Sequence, residues 1–512
     1  FLFYFSRERI NAENRFDRIL LYLNAVEFLF VYRHDFDNIA DAAERARDGG
    51  DSLSADLRGQ GRAMAALAGA DAGGAEQALA LLAGRADVRS ARLRGLAWFQ
   101  RGNFDAAVRE FDTVVAIWTQ DIEARYLRAQ AYLGRAGERQ RDGGDPSDDL
   151  RAALKDLDAR IAAPEDRTGR GLRAIVRSLL AKRALELGED AMPWLEGALE
   201  DLGEPETLGG IAIGQLVNRS VVHCQMAVAA AAGGKNAEPW YERELADLDR
   251  AVELAPSRST LSMRAGAYVG RAERLRLQGR NGDEEMARAR ADADEAVRLD
   301  PDPAALGQRA RVLRTVAEFA LGRRDPRPAL RQGFEDLGCA LVLQPEDARL
   351  WDLRGCLHLL AATDASIRGE DPEAEASAAV RDLDEAIRLA PRGASAWGNR
   401  GLAHLNLGGW QKAAGKDGRA RFVLALADGA EAARLQPRAG RGWDVQARAA
   451  RALAEAEAAY GGDPTAAVAP VLEALDRAER DGLLNAGNRL EADKLGVDLA
   501  RAEAQCGQDS LA

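Results

Sequence analysis

Lysine and long apolar runs are scarce in this chain of 512 residues. Only six of its 70 basic residues are lysines, a bias that, with abundant alanine and glycine, is typical of a GC-rich bacterial genome. No run of 18 apolar residues occurs, so the sequence predicts no membrane-spanning helix. The net charge of −12 disfavours broad nucleic-acid binding, because that function requires a basic surface.

Cysteine is also scarce, and its spacing excludes the usual zinc and redox motifs. The four residues form no C-x-x-C pair, which predicts reduced, small buried side chains of a cytoplasmic protein. No phosphate-binding loop, nucleophile elbow or dinucleotide fingerprint occurs either. The sequence therefore predicts a protein that is not an enzyme, with no catalytic residues, no metal and no cofactor.

A helix that ends in proline recurs at a nearly constant step. In residues 379–391, AVRDLDEAIRLAP, apolar residues recur every three or four positions, which places them on one stripe of a helix that the proline stops. A second helical pattern precedes each of these elements, as in residues 350–360, LWDLRGCLHLL. Each repeat is therefore predicted to be two helices and a loop. The prolines that follow one another at steps of 45, 44, 46 and 46 residues are Pro256, Pro301, Pro345, Pro391 and Pro437.

Residues 90–117, SARLRGLAWFQRGNFDAAVREFDTVVAI, resemble a tetratricopeptide repeat. The resemblance implies an all-α fold, an α-solenoid in which antiparallel helix pairs stack into a right-handed superhelix. The step of 44 to 46 residues exceeds the usual period of about 34, so we expect longer helices or polar loops to absorb the excess. The small and large signature positions are occupied by Gly95, Trp98, Gly102, Phe104, Ala107 and Phe111, and the early tryptophan recurs as Trp351, Trp397 and Trp443.

The chain is predicted to have three parts. Residues 1–50 form an aromatic-rich N-terminal helical segment, residues 51–486 an array of about ten helix pairs, and residues 487–512 a C-terminal capping helix with Leu490 and Leu495 facing inward. Because the chain starts at Phe1, the first segment has three interpretations. It is the end of a preceding domain, the last turn of a membrane helix, or a helix that caps the array.

Arginine and aspartate recur with a fixed separation of 27 or 28 residues, which implies a fixed geometry. We predict a ladder in which each first-helix arginine pairs with a second-helix carboxylate at the seam between the helices. Ligand binding by these arginines is the alternative. The predicted pairs are Arg219 with Asp247, Arg264 with Asp292, Arg309 with Asp336, Arg354 with Asp382, and Arg400 with Asp428.

Histidine is present only four times, and three of the four share one position in the repeat. His223, His358 and His404 each follow the recurring arginine by four residues, where other repeats have Trp98 or Tyr132. They are predicted to be packing elements rather than ligands. His34 lies alone in the N-terminal segment and indicates no function.

Stacked first helices of a solenoid form a concave surface, so the positions beside the small residue are the candidate partner-binding positions. Eight of these positions are basic and three are acidic, which favours an acidic or carboxylate-bearing segment as the ligand. Solvated helix faces without a ligand are the alternative. The candidates are Arg89, Arg92, Phe99, Gln100, Glu123, Tyr126, Gln130, Arg311, Arg314, Arg349, Asp352, Asn406, Arg441, Asp444, Arg448 and Arg451.

These observations predict a non-enzymatic scaffold or adaptor that binds a protein or peptide through its concave groove, or that self-associates. The predicted location is the bacterial cytoplasm, or a membrane reached through a part that precedes Phe1. The alternative is a regulatory or sensor arm of a larger bacterial signalling enzyme, fused to a kinase or a protease.

Overall fold

The computed structural model describes residues 72–141, 144–160, 167–204, 212–438, 440–484 and 488–496, together with Ala63, Ala66 and Leu67. These residues form α-helices, turns and short loops, without a strand among them. The chain divides into two compact units, Phe1–Ala255 (unit 1) and Pro256–Ala512 (unit 2). None of the described helices is long and apolar enough to cross a lipid bilayer.

In the continuous described ranges of unit 1, the helix α1 is followed by four helix pairs. Its described helices are α1 (Ala72–Leu81), α2 (Val88–Gln100), α3 (Phe104–Ile117), α4 (Ile122–Arg141), α5 (Ser147–Arg160), α6 (Arg167–Leu187), α7 (Met192–Leu202), α8 (Ala212–Ala232) and α9 (Glu238–Leu254). The pairs are α2 with α3, α4 with α5, α6 with α7, and α8 with α9.

From Arg258 to Arg480, unit 2 has five helix pairs, from α10 with α11 to α18 with α19. Its helices are α10 (Arg258–Leu277), α11 (Asp283–Leu299), α12 (Pro303–Ala320), α13 (Arg327–Leu343), α14 (Ala348–Ile367), α15 (Glu373–Leu389), α16 (Ala394–Ala413), α17 (Arg419–Leu435), α18 (Arg441–Ala459) and α19 (Pro464–Arg480). Within each unit, successive pairs stack on one another. The predicted all-α fold of stacked antiparallel helix pairs is thereby confirmed.

Longer helices account for the long period of unit 2. The first helices α10, α14 and α16 have 20 residues each, and the second helices α11, α13, α15 and α17 have 17 each. Gly279 ends α10 with a φ of 72°, a left-handed conformation that glycine adopts with little strain. A hydrogen bond of 2.8 Å from the Arg280 amide to the Leu275 carbonyl closes the turn. The additional residues therefore extend the helices and leave the turns short.

The small residue of each repeat allows close packing inside the helix pair or against the next repeat. A Cβ atom on Gly95 would lie 2.7 Å from the Phe111 ring, and one on Gly355 would lie 2.7 Å from Leu383 Cγ. Ala265, at the same position, is completely buried. Interiors are close-packed, so a larger side chain at these positions would force the helices apart.

Each recurring proline follows a second helix, and in three repeats its carbonyl accepts a hydrogen bond from a tryptophan of the next first helix. These bonds tie the end of one pair to the start of the next. The indole nitrogens donate from Trp351 to Pro345 (2.7 Å), from Trp397 to Pro391 (2.9 Å) and from Trp443 to Pro437 (2.7 Å).

The predicted terminal segments are only partly described. Residues 488–496 are helical, and Leu495 is fully buried against α18 and α19, as expected. Leu490 is 54% exposed, so its predicted inward orientation is wrong. The N-terminal segment 1–50, His34 and Cys506 lie outside the described residues.

Candidate partner-binding face

Four of the five predicted arginine–aspartate pairs lie in unit 2 and share one geometry. Each arginine donates two hydrogen bonds, from Nε and Nη2, to the two oxygens of one aspartate on the second helix of its pair. The distances are 2.8 and 2.8 Å for Arg264 and Asp292, 2.8 and 2.6 Å for Arg309 and Asp336, 2.7 and 2.6 Å for Arg354 and Asp382, and 2.9 and 2.6 Å for Arg400 and Asp428.

Arg219, the fifth predicted arginine, does not make this two-point contact. Its Nε lies 3.5 Å from Asp247 Oδ2, while its Nη1 donates to the Gly203 carbonyl at 2.7 Å. His223 lies closer to the same aspartate, with Nδ1 at 3.0 Å from Asp247 Oδ2. The histidine that follows this arginine by one helical turn therefore competes with it for the carboxylate.

Unit 1 contains equivalent pairs that lie outside the predicted set. Arg128 donates to Asp156 at 2.7 and 2.6 Å, and Arg173 donates from Nε to Asp201 at 2.9 Å, again 28 residues apart. The same reasoning from spacing could have found both pairs.

The ladder aspartates are buried, which makes the pairs energetically important. The side chains of Asp336 and Asp428 are 6% and 5% exposed. Hydrogen bonds to these carboxylates raise the pKa of Arg309 and Arg400 above the ordinary arginine value. Losing the arginine would leave a buried charge without compensation, so we interpret the ladder as a structural element.

A second set of carboxylates links successive repeats. In four repeats the ladder arginine also donates from Nη1 to an aspartate on the second helix of the preceding pair. These distances are 2.9 Å from Arg128 to Asp112, 2.9 Å from Arg173 to Asp158, 3.3 Å from Arg309 to Asp294, and 2.6 Å from Arg400 to Asp384. The D-x-D spacing, as in Asp382 and Asp384, is the sequence signal for this contact.

The three described histidines pack against other rings or lie near carboxylates. His223 is 3% exposed and its ring stacks on that of Trp240, with centroids 6.0 Å apart. His358 Nδ1 lies 2.6 Å from a Glu375 oxygen, and burial lowers the pKa of His404 below its ordinary value. Across the described ranges, no three His, Cys, Asp or Glu side chains converge as a metal site.

We define the first-helix face of unit 2 by the predicted residues Arg311, Arg314, Arg349, Asp352, Asn406, Arg441, Asp444, Arg448 and Arg451, with Asn399 added. Arg311 on α12 differs from the other arginines of this face. It is an exposed residue, and its guanidinium makes no hydrogen bond or ion pair with any residue that the structure describes. Desolvation by the surrounding protein, followed by repulsion from Arg349 and Arg314, lowers the pKa of Arg311 below its ordinary value.

A polar network joins α14, α16 and α18 on the same face. Asn399 donates from Nδ2 to Asp352 Oδ1 at 2.8 Å and accepts from Arg441 Nη1 at 3.2 Å. Ser395 also donates to Asp352, at 2.9 Å. Cys356, within 3.2 Å of the same amide, has a pKa raised by burial to about 12, so its thiol stays protonated. Asn399 was missed because it lies beside the ladder position rather than at a predicted groove position.

Carboxylates neutralise most of the other arginines on this face. The bonds are Arg314 to Glu318 (3.3 Å), Arg349 to Asp347 (2.7 Å), Arg448 to Asp444 (3.3 Å) and Arg451 to Glu491 (3.4 Å). Glu318, Asp347 and Glu491 were not among the positions counted from the sequence. The face is therefore mixed in charge: among its arginines, Arg441 bonds only to the neutral Asn399 amide, and Arg311 has no hydrogen-bond or ion-pair partner among the described residues. Asn406 is half-buried.

Two of the seven positions predicted in unit 1 are buried and not available to a partner. Tyr126 and Gln130 are only 2% and 5% exposed, because α4 packs with these side chains turned into the helix stack, so neither presents a surface to a partner. The others are more accessible. Arg89 is exposed, Arg92 lies 3.6 Å from Asp121, the Phe99 ring meets Phe104 edge-on at 5.5 Å, Gln100 donates to the Leu67 carbonyl at 3.2 Å, and Glu123 is half-buried.

No protein-family model matches this chain, and no curated protein matches it significantly. Solved structures match this chain over most of its length, but their sequence identities and TM-scores are low. A monomeric IFIT1 mutant with Gppp-AAAA is 14% identical, with 91% of this chain and 95% of that chain covered and a TM-score of 0.43. Yeast Tom70 is 12% identical, with 94% and 97% covered and a TM-score of 0.31.

The APC/C hetero-tetramer Cut9-Hcn1 is 14% identical, with 96% of this chain and 90% of that chain covered and a TM-score of 0.34. Likeness at this level carries no inference about ligands. The helical repeat fold rests on the stacked pairs described above.

Proposed function

We propose that the chain is a non-enzymatic scaffold that binds an acidic segment of a protein or peptide partner through the first-helix face of unit 2. The observation that carries the proposal is Arg311, an exposed residue whose guanidinium has no ion-pair partner among the described residues. A carboxylate from a partner would supply the missing charge and accept two parallel hydrogen bonds.

The electrostatics of the face support a partner with isolated acidic residues. Arg349 and Arg314 destabilise the charged form of Arg311, and an incoming carboxylate would relieve that repulsion. The neighbouring arginines already hold Glu318, Asp347 and Asp444. A continuous polyphosphate would meet these carboxylates and be repelled, whereas a peptide can place one carboxylate at Arg311 and neutral residues beside it.

The composition supports the remaining parts of the proposal. Arginine greatly exceeds lysine, and the four cysteines form no C-x-x-C pair, as in reduced proteins of a bacterial cytoplasm. We therefore place the scaffold there. The long repeat, with 20-residue and 17-residue helices, is proposed to be a variant of the tetratricopeptide repeat.

The test is a peptide-binding measurement with a charge-reversal pair. A fluorescein-labelled Glu-Ala repeat peptide and its Gln-Ala counterpart are titrated with the full chain, and anisotropy reports binding. We expect the Glu-Ala peptide alone to bind, and Arg311→Glu to weaken it about tenfold. Added salt should weaken binding further, because exposed charges are screened.

The matched control is Arg331→Glu. Arg331 is an exposed arginine of α13, a second helix, and lies outside the first-helix face. This variant changes the net charge by the same amount and should alter the affinity less than about twofold. Equal binding of both peptides, or equal losses in both variants, would contradict the proposal.

A further inference from the structure

The ladder arginine Arg354 of unit 2 lacks the carboxylate that links it to the preceding pair. Asp384 precedes Arg400 by 16 residues and accepts a hydrogen bond of 2.6 Å from its Nη1. The position 16 residues before Arg354 is Gly338, in the middle of α13, which has no side chain to offer. Arg354 uses Nε and Nη2 on Asp382, and its Nη1 has no partner among the described residues.

The space beside Gly338 is open to solvent. A Cβ atom built on Gly338 would have no atom within 4 Å. The aspartates at the same position of four other repeats are 41% to 53% exposed, so a carboxylate at this position is reachable from outside. Arg354 is 25% exposed, against 17% for Arg309 and 19% for Arg400, because no side chain covers it.

The surface next to this position is apolar. Val342 lies one helical turn beyond Gly338 on the same side of α13 and is 82% exposed, and Leu343 is 62% exposed. The guanidinium of Arg354 stacks 4.5 Å from the Trp351 ring, which holds its plane in a fixed orientation. A cationic donor and an apolar surface therefore lie side by side.

We propose that Gly338 and Arg354 form a docking point for an aspartate or glutamate side chain of a protein partner, with Val342 contacting an apolar residue next to that acid. The partner's carboxylate accepts a hydrogen bond from Arg354 Nη1, as Asp384 does from Arg400. The contact with Asp382 stays intact. This surface lies at the seam of α13 and α14, and it does not depend on the site around Arg311.

The experiment uses two small probes, the dipeptides acetyl-Asp-Leu-amide and acetyl-Asn-Leu-amide. The full chain is labelled at valine methyl groups, and the Val342 signal is assigned with Val342→Ile. We expect the aspartate probe to shift the Val342 signal saturably, and the asparagine probe to bind about fivefold more weakly, as expected for one exposed ion pair. The absence of a saturable shift with the aspartate probe would overturn the proposal.

Two variants of Gly338 separate charge from bulk. Gly338→Asp supplies the chain with its own carboxylate, as the other repeats have, and should abolish the response to the aspartate probe. Gly338→Asn also replaces the glycine and has a side chain of the same size, but it carries no charge. The Val342 signal of this variant should still shift with the aspartate probe. A response that persists in Gly338→Asp would overturn the proposal.

A third variant distinguishes this proposal from the preceding one. Arg311→Glu should leave the response of Val342 unchanged, because Arg311 belongs to the first-helix face. Loss of the response in this variant would mean that the probe binds at Arg311, and would overturn the site at Gly338.

Discussion

Units 1 and 2 contain the same kind of helix pair, but unit 2 is regular and unit 1 is not. The second helices α11, α13, α15, α17 and α19 of unit 2 all have 17 residues, whereas α3, α5, α7 and α9 of unit 1 have 14, 14, 11 and 17. The separation of arginine and aspartate is nevertheless 28 residues in the α4–α5 and α6–α7 pairs, as in most of unit 2.

This comparison shows which feature the repeat holds constant. Helix length varies, because turns and helix ends can be extended at the surface without disturbing the packed seam. Each partner keeps its phase within its own helix, since a shift by one residue along that helix would turn the side chain about 100° away. The ion pair therefore restricts the separation to 27 residues, as for Arg309 and Asp336, or 28 residues, as for Arg354 and Asp382, and helix length adapts around it.

The largest expected effect is the loss of a two-point ladder contact. Arg400→Ala leaves Asp428 buried without its main partner and should destabilise unit 2 by about 3 kcal/mol. Arg219→Ala in unit 1 should cost only about 1 kcal/mol, because His223 still contacts Asp247. Hydrogen exchange of the amides of α17 and of α9 reports the two losses separately.

The control for both variants is Arg392→Ala, which removes an exposed arginine and should leave exchange unchanged. Equal losses in Arg400→Ala and Arg219→Ala would show that the histidine does not substitute for the arginine, and the comparison of the units would fail at this point.

A smaller effect is expected where the two units agree. Gly102 in unit 1 and Gly369 in unit 2 both follow a first helix with φ of 71° and 73°, and a Cβ atom on either would meet nothing within 4 Å. Alanine at each position should therefore cost about 1 kcal/mol from backbone strain alone. Hydrogen exchange of the amides of the preceding helix measures this loss of stability. A clear difference between the two sites would indicate that the turns of the two units are not equivalent.

The smallest effect concerns pH. The pKa of His404 is lowered from its ordinary value of 6.5, first by burial, so the unfolded chain binds more protons than the folded chain below that value. Stability from the neutral imidazole is present above pH 6.5 and is lost as the pH falls through the lowered pKa. His404→Gln should reduce the loss of stability between about pH 7.5 and about pH 5.5.

The measurement is urea denaturation of both proteins at the two pH values. Other groups titrate in the wild type and the variant alike, so the difference between the two proteins isolates His404. An identical pH dependence in both would mean that His404 keeps its ordinary pKa in the folded chain.

Sequence patterns were sufficient to predict the helix pairs, because apolar periodicity, glycine and proline determine helix formation and helix ends within a few residues. The close approach at Gly95 and Gly355 follows from the same local pattern. Patterns were not sufficient for the surface. Tyr126 and Gln130 lie inside the stack, and Asn399 joins three first helices through contacts with residues 42 to 47 positions away.

The charge of the first-helix face illustrates the same limit. On this face the sequence shows six basic positions against two acidic ones, which indicated a basic groove, whereas Glu318, Asp347 and Glu491 pair with three of those arginines. Whether a given arginine is neutralised depends on the distance to carboxylates of neighbouring repeats, and that distance is set by how the helices stack.

The amino-acid sequence alone determined that residues 256–437 are helix pairs that recur every 44 to 46 residues, since helix formation and termination depend on local side chains. Only the tertiary structure decided that His223 takes the place of an arginine, that Arg311 is left without a carboxylate, and that Gly338 leaves Arg354 with an unused donor. Ion pairs join residues that are far apart in the sequence, so differences of a few ångströms in helix position decide which charged side chains come into contact.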